Sequence, residues 1–298
     1  MHTEEIMIMA KIFNKILHGP LEPMFSFLYL SFVKIQFLFF KIKWKFTNTP
    51  TASEEDRKNV ADNVTFVYKS FERQSMAKRL YRNIQKMYPG ARVIIADDSK
   101  KPLEIKGENL QIIHLPFNSG LSKGLNLALN NVRTPFTMRL DDDELLTPYS
   151  KIHEHLKFLQ SHPEVDLVGL LPYNAPFIKS PITQTKFYFG ESMSAAPLKL
   201  KIPHMTVIEQ NYVVLGKVPN IFLARTEEYR SVGYDDNIRM IDHQEFFFRA
   251  AGILTSVLSL NSYVFHYHDR FNKHYDKFRS DIYGDGVYIK SKYPEYFK

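Results

Sequence analysis

From residue 64 onward the hydrophobic pattern switches repeatedly between two periods. VTFVYKSF (64–71) is β-branched and aromatic with little interruption, which predicts a strand buried on both faces. The following stretch places Met76, Leu80, Ile84 and Met87 at spacings of four, four and three, one face of a helix. After the Pro89-Gly90 break come the strand ARVIIAD (91–97), the strand NLQIIHL (109–115), a helix over about 120–131, the strand PFTMRL (135–140), a helix over about 150–161 and the buried strand EVDLVGLL. Farther on, NIFLAR (220–225) reads as a strand, DHQEFFFR (242–249) as the start of an amphipathic helix, and residues 263–265 as a last strand. Such alternation predicts an α/β domain with a mostly parallel sheet and helices on both faces. Ligands are then expected at the carboxyl ends of the strands.

The first 46 residues follow a different pattern. Residues 24–40, MFSFLYLSFVKIQFLFF, form an apolar run interrupted only by Lys34, Gln36 and two serines. A spanning helix needs ~20 apolar residues, and a central lysine costs about 2.5–3.5 kcal/mol on insertion, so the run is marginal as a span. Lys41, Lys43 and Lys45 then alternate with Ile42, Trp44 and Phe46, a composition suited to the headgroup layer of an anionic membrane. A helix or hairpin packed on the main domain is the competing reading, and no small-residue cleavage pattern follows the run. Residues 47–63, TNTPTASEEDRKNVADN, show no apolar period and read as a linker. The expected organisation is a membrane-associating segment over 1–46, a linker over 47–63 and one catalytic domain over 64–298.

Composition narrows the chemistry. The 298 residues contain no cysteine, which removes disulfides, thiolate metal sites and cysteine nucleophiles, so a metal has to be held by oxygen or imidazole. With 44% hydrophobic residues the chain can bury a large core. The 39 Lys and Arg against 32 Asp and Glu leave a charge of +7, which suits an anionic partner such as nucleic acid, a membrane surface or a phosphorylated ligand. No recognition-helix or zinc spacing supports nucleic acid.

Three strand ends carry polar groups. Asp97 and Asp98 follow the second strand, where paired carboxylates suit a nucleobase edge and ribose hydroxyls, although Asp and Ser also build ordinary turns. Asn118-Ser119-Gly120-Leu121-Ser122-Lys123 is a glycine-containing loop running into a helix, where backbone N–H groups and Lys123 attract phosphate. The sharpest element is Arg139-Leu140-Asp141-Asp142-Asp143-Glu144. Adjacent like charges repel unless they sit in water or share a cation, and oxygen donors of this kind suit Mg²⁺ or Mn²⁺. Downstream, Asp242 and Glu245 are either first-turn helix residues or a general base. His266 and His268 lie two apart on a strand and so share a face, as two metal ligands would.

Taken in order, these segments resemble the family 2 inverting glycosyltransferases with the GT-A fold, over roughly residues 64–268. VYKSFERQSMAKRLYRNIQKMYPGARVIIADDS is similar to the opening strand, helix and nucleotide-contacting strand of that family, and LDDD to its DxD motif. NSGLSKGLNLAL, LDDDELLT, DLVGLL, NIFLART and DHQEFF look most like the β-1,4-N-acetylgalactosaminyltransferases and related bacterial sugar transferases. The resemblance implies that Asp97 and Asp98 contact the uridine of a UDP-sugar, with Asn118, Lys123, Asp141 and Asp142 also on the nucleotide-sugar side. It implies Asp143 as the direct ligand of Mn²⁺ or Mg²⁺, Asp141 nearer the ribose, His266 as a further ligand and His268 as its substitute. Glu245 is the implied base, with Asp242 second. Where many relatives carry arginine, this chain has Leu125.

The expected activity is metal-dependent, inverting transfer of a sugar, an N-acetylhexosamine, from UDP to a glycan or glycolipid. A non-catalytic glycan-binding relative and a sugar-nucleotide pyrophosphorylase are the alternatives. Leu125 favours the first, and the second lacks its phosphate-loop glycine at Lys69-Ser70-Phe71-Glu72-Arg73. Membrane association on the cytoplasmic face is expected, with a type II secretory-pathway protein as the alternative. The basic stretch holding Arg270, Lys273, His274, Lys277 and Arg279 reads as a solvated helix face, or else as a flap over the diphosphate.

Overall fold

The computed structural model describes residues 17, 19–46, 51–175, 200–267, 271–279 and 282–294. Helix α1 (Glu22–Phe46) holds the apolar run. Helix α2 (Glu54–Asn63) follows and leads without a break into β1 (Val64–Ser70). Next come α3 (Gln74–Met87), β2 (Arg92–Asp97), β3 (Leu110–His114), α4 (Leu121–Asn130), β4 (Phe136–Arg139) and the short β5 (Glu144–Leu145). Helix α5 (Ile152–Ser161) precedes β6 (Leu167–Ala175), β7 (Val207–Ile208), β8 (Tyr212–Val214) and β9 (Phe222–Arg225). The chain continues as α6 (Thr226–Val232), α7 (Asp242–Ala250), β10 (Ser256–Tyr267), α8 (Lys273–Asp276) and α9 (Ile282–Lys292).

The ten strands form one sheet in the order β3-β2-β1-β4-β9-β6-β10-β8-β7, with β5 paired to β10. The pairings leave β5, β8 and β9 running against the other seven, so the sheet is mixed with most strands pointing one way. Alternate residues of β1 feed the two cores: Phe66 and Tyr68 face Leu80 and Ile84 of α3 and Leu156 of α5, while Val67 faces Leu125 and Leu129 of α4 and Phe246 of α7. Helices therefore cover both faces, which is why the strands read as nearly continuous apolar runs. The Met76, Leu80 and Ile84 stripe is buried as its spacing predicts.

Residues 54–63 depart from the linker reading. Ser53 accepts from the Asp56 amide at 3.0 Å and Asp56 accepts from the Ser53 amide at 3.1 Å, a capping box that starts α2. Its first turn carries Glu54, Glu55 and Asp56, and Val60 is its one buried residue. A helix that docks through Val60, the neighbouring Ala61 and the Asp56–Lys157 ion pair leaves no periodic signal, so only the cap betrays it. Residues 176–199, between β6 and β7, lie outside the described residues.

Candidate active site

The acidic tract leaves the sheet at β4 and returns at β5, where Glu144 pairs with His266 and Leu145 with Phe265 of β10. Both ends of Asp141–Asp143 are thus fixed by sheet pairing, and the Asp143 carbonyl accepts from the Tyr267 amide at 2.8 Å. Arg139, fully buried below the tract, meets the Asp141 carboxylate at 2.9 Å and donates to the Asn220 carbonyl. Glu144 accepts from the Asp141 amide at 2.8 Å, and burial drives its carboxyl well above the ordinary range, toward the neutral acid.

Asp142 and Asp143 share one cation. The Arg73 guanidinium, held over the Tyr275 ring at 4.1 Å, binds Asp142 through one amino group and Asp143 through the other at 2.8 Å. Burial pushes the Asp142 carboxyl up against the pull of Arg73. At Asp143 burial also opposes ionisation, but His266 and Arg73 outweigh it and hold that carboxyl far below the usual range. The His266 Nε2 stands 3.6 Å from Asp143 Oδ1, while its Nδ1 donates to Asn174 Oδ1 at 2.6 Å. That bond fixes the proton on Nδ1 and aims Nε2 at the carboxylate, the arrangement that orients a metal-binding imidazole.

Two observations suit a divalent cation here: the donors are hard oxygens and one oriented imidazole, and the second Asp142 oxygen is buried without a hydrogen-bond partner. Arg73 holds the compensating charge that such a cation would have to displace. Among the described residues no group of three or more His, Asp or Glu side chains is already gathered as a ligand set. His268 lies outside the described residues.

Asp142, Asp143 and His266 line a cleft of about 350 Å³ together with Asp141, Asn220, Asp242 and His243. Asp242 opens α7, is buried, and keeps its Oδ2 without a hydrogen-bond partner. Burial pushes its carboxyl up to about 7 against the pull of Arg139. His243 donates from Nε2 to the Val218 carbonyl at 2.6 Å, and burial pushes it down to about 3, so it stands neutral.

Glu245, the first-choice base from sequence, is not at the cleft. Its carboxylate takes Arg249 at 2.6 and 2.8 Å, Lys292 at 2.9 Å and the Tyr293 hydroxyl at 2.8 Å, all from helix ends behind the wall. Oε1 takes three of these donors and Oε2 the fourth, so the carboxylate is turned toward Arg249, Lys292 and Tyr293 and away from the cleft. Asp242, the second choice, is the acid of this helix that lines the cleft.

The nucleotide side is also rearranged. Asp97 accepts from the Ser99 hydroxyl and the Leu103 amide, both at 2.7 Å, and Asp98 binds Lys69 at 2.5 Å and the Gly120 amide at 3.1 Å. Neither lines the cleft; both shape the loops that do. Asn118 does line it, with a left-handed φ of 55°. Lys123 is exposed on α4 and absent from the cleft wall, and Leu125 is buried in the core. The cleft cations are Lys69, Arg73 and Arg239, which sequence reasoning did not assign. Only their positions, Lys69 at the end of β1, Arg73 just after it and Arg239 before α7, beside other polar strand ends, hint at them. Gly120 sits at φ 104°, and a Cβ there would come within 3.4 Å of the Arg239 backbone, so glycine permits that loop to close on the site.

A mixed sheet with acidic strand ends on one cleft is the architecture of nucleotide-sugar transferases of the GT-A type. TarS of S. aureus matches it with a TM-score of 0.51 at 14% identity, over 68% of this chain and 60% of that one. TarS in complex with UDP gives 0.50 at 15% identity, over 68% and 60%. Residues 64–205 match the family described as Glycosyl transferase family 2, and the chain carries a domain of that family. Mouse β-1,4 N-acetylgalactosaminyltransferase 2 is 32% identical over 193 residues, 64% of this chain and 36% of that protein. Human β-1,4 N-acetylgalactosaminyltransferase 1 is 31% identical over 202 residues, 66% and 37%. The chain thus spans little more than a third of the length of these relatives.

Proposed function

We propose that this protein transfers a sugar, an N-acetylhexosamine, from UDP to a hydroxyl of a glycan or glycolipid with inversion at the anomeric carbon. The observation that carries the reading is Asp242: a buried carboxylate with an unpartnered oxygen and a pKa near 7, lining the same cleft as Asp143 and His266. Its oxygen takes the acceptor hydroxyl proton, the acceptor oxygen forms the new bond to the anomeric carbon, and the bond from that carbon to the diphosphate breaks with its electron pair leaving on UDP.

Asp143 and His266, with Asp141 beside them, would hold Mn²⁺ or Mg²⁺, which when bound supplies positive charge for the departing diphosphate. Lys69, Arg73 and Arg239 line the cleft as cations for the diphosphate, and Phe71 and Phe278, whose rings meet at 5.2 Å, offer it apolar surface. The N-acetylhexosamine follows the sugar in the relatives' names. Helix α1 is long and apolar enough over Glu22–Ile42 to cross a membrane, and we assign the protein to a membrane surface. The missing cysteines and the lysines of residues 34–45 favour the cytoplasmic leaflet.

The test is UDP release from a panel of UDP-sugars, with and without chelator and added Mn²⁺. Turnover of UDP-N-acetylhexosamines that chelation removes supports the reading. Metal-independent turnover overturns the cation, and no turnover of any UDP-sugar across an acceptor panel overturns the activity.

A further inference from the structure

Helix α1 has two faces, and the structure uses only one. Tyr29, Val33, Phe37 and Phe40 pack on Leu145 of β5, Tyr173 of β6 and Tyr263 and Phe265 of β10, with Val33 fully buried and Phe37 4.7 Å from the Phe265 ring. At about 100° per residue these four fall within an arc of about 80°. Met24, Phe27, Leu28, Ile35, Leu38, Phe39, Ile42 and Phe46 fall on the opposite arc of about 120° and are exposed, Phe27 by 70%, Phe39 by 67% and Phe46 by 83%. A patch of this extent has no place on a solvated surface. Lys34 and Lys41 are exposed at one border between the two arcs, and the Lys41 ammonium lies 4.5 Å from the Phe37 ring.

We propose that α1 lies in the plane of an anionic lipid surface, with one face seated on the catalytic domain and the other sunk among the acyl chains, and does not cross the bilayer. The contacts from Tyr29 to Phe40 run for about 16 Å of helix, and a helix covered by protein over that length cannot be ringed by the ~30 Å of hydrocarbon a span requires. The border lysines reach the headgroups from such a pose, which removes the cost of a lysine in mid-run. The first turns of α1 also hold one wall of the cleft. Glu22 pairs with Lys273 and Tyr29 meets Phe271 at 5.3 Å, in the segment whose Tyr275 and Phe278 line the site.

The inference deepens the membrane assignment above and is tested without reading catalysis, so its failure is separate from failure of the transferase reading. The chain has no cysteine, so single-cysteine variants of the full chain report unambiguously. Pro23→Cys and Lys41→Cys, at the two ends of the helix and both exposed on its lysine border, should both react with an impermeant maleimide from outside in protein bound to sealed phosphatidylcholine–phosphatidylglycerol vesicles. Protection of one end and not the other would mean a span and overturn the proposal. An environment-sensitive dye on Leu38→Cys should shift to the blue with these vesicles, while one on Leu127→Cys of α4 stays unchanged. A blue shift at Leu38 that grows with protein concentration in the absence of lipid would assign the face to a second copy and overturn it. Phe27→Glu with Phe39→Glu should leave the circular dichroism spectrum intact and reduce the vesicle-bound fraction at least tenfold; undiminished binding would overturn it too.

Discussion

Asp242 and Glu245 stand three residues apart in one helix, and their surroundings divide their roles. Four hydrogen bonds from three side chains of the α7–α9 junction converge on Glu245, and they hold its carboxyl below the usual range against the effect of burial. Asp242 faces the cleft with an unpartnered oxygen, and burial carries its carboxyl up to about 7. A fully satisfied buried acid is a fastening, whereas an acid left short of partners costs stability and keeps its proton affinity for use. The floor of the cleft is underpaired throughout, with the second Asp142 oxygen, Asn220 Oδ1 and the Arg139 Nε also lacking hydrogen-bond partners. The buttress behind it is overdetermined.

The largest effect that would break this contrast is a direct exchange of the two acids' fates. Asp242→Asn should lower turnover by about 10²–10⁴-fold with UDP binding intact, and raise the melting temperature because an uncomfortable buried charge is gone. Glu245→Gln should do the reverse in kind. It strands Arg249 and Lys292, each a quarter to a third exposed, and should cost about 1–2 kcal/mol in chemical denaturation with a far smaller loss of turnover. If Glu245→Gln abolishes turnover in folded protein while Asp242→Asn does not, the base assignment is reversed.

A pH series sharpens the same point. A base works deprotonated, so kcat/KM should fall about tenfold per unit below pH 7 and level off above it. Stability runs the other way. The folded Asp242 holds its proton up to about 7 whereas an unfolded aspartate releases it near 3.9, so between those values the folded state binds more protons and this residue's contribution to stability declines as pH rises. Asp242→Asn should flatten that segment of the stability curve; an unchanged slope would remove Asp242 as its source.

The buttress reaches the cleft through Asp285 of α9. Its buried carboxylate accepts from the consecutive amides of Arg239, Met240 and Ile241 at 2.6–3.1 Å, and the next residue is Asp242. Asp285→Ala should therefore reduce kcat by about 10-fold and accelerate hydrogen exchange at amides 239–241. Unaltered exchange at those amides would show that the loop holds itself. Lys273, His274 and Lys277 of the basic stretch are exposed, as a solvated face would be, while the following α9 pins the loop that carries the proposed base.

How much of this was legible depends on how local the cause is. Strands β1 to β4 and the α3 stripe follow from periodicity, whereas the pairing of Asp143 with His266 came from the family resemblance. Helix α2 was hidden because one buried valine makes no period. The choice between Asp242 and Glu245 was hidden because Lys292 and Tyr293, more than forty residues away, decide which acid is spent. Asp97 and Asp98 carry the right chemistry for a nucleotide, yet their oxygens are engaged by Ser99, Leu103, Lys69 and Gly120.

Lys123 offers the smallest effect and the cleanest separation of motif from position. It sits in the glycine-containing loop where sequence reasoning placed the diphosphate cation, but its side chain is exposed and outside the cleft. Arg239 lies across that loop, donating to the Asn118 carbonyl at 2.7 Å and lining the cleft. An exposed charge contributes at most about 1 kcal/mol, and less when screened, whereas a cation with a fixed hydrogen bond at the ligand contributes about 1.5–3 kcal/mol. Lys123→Ala should therefore shift UDP affinity by less than about twofold at physiological salt, and Arg239→Ala should weaken it by ~10-fold or more. A tenfold loss at Lys123 with none at Arg239 would mean that the helix start of α4, and not the loop before α7, supplies the charge.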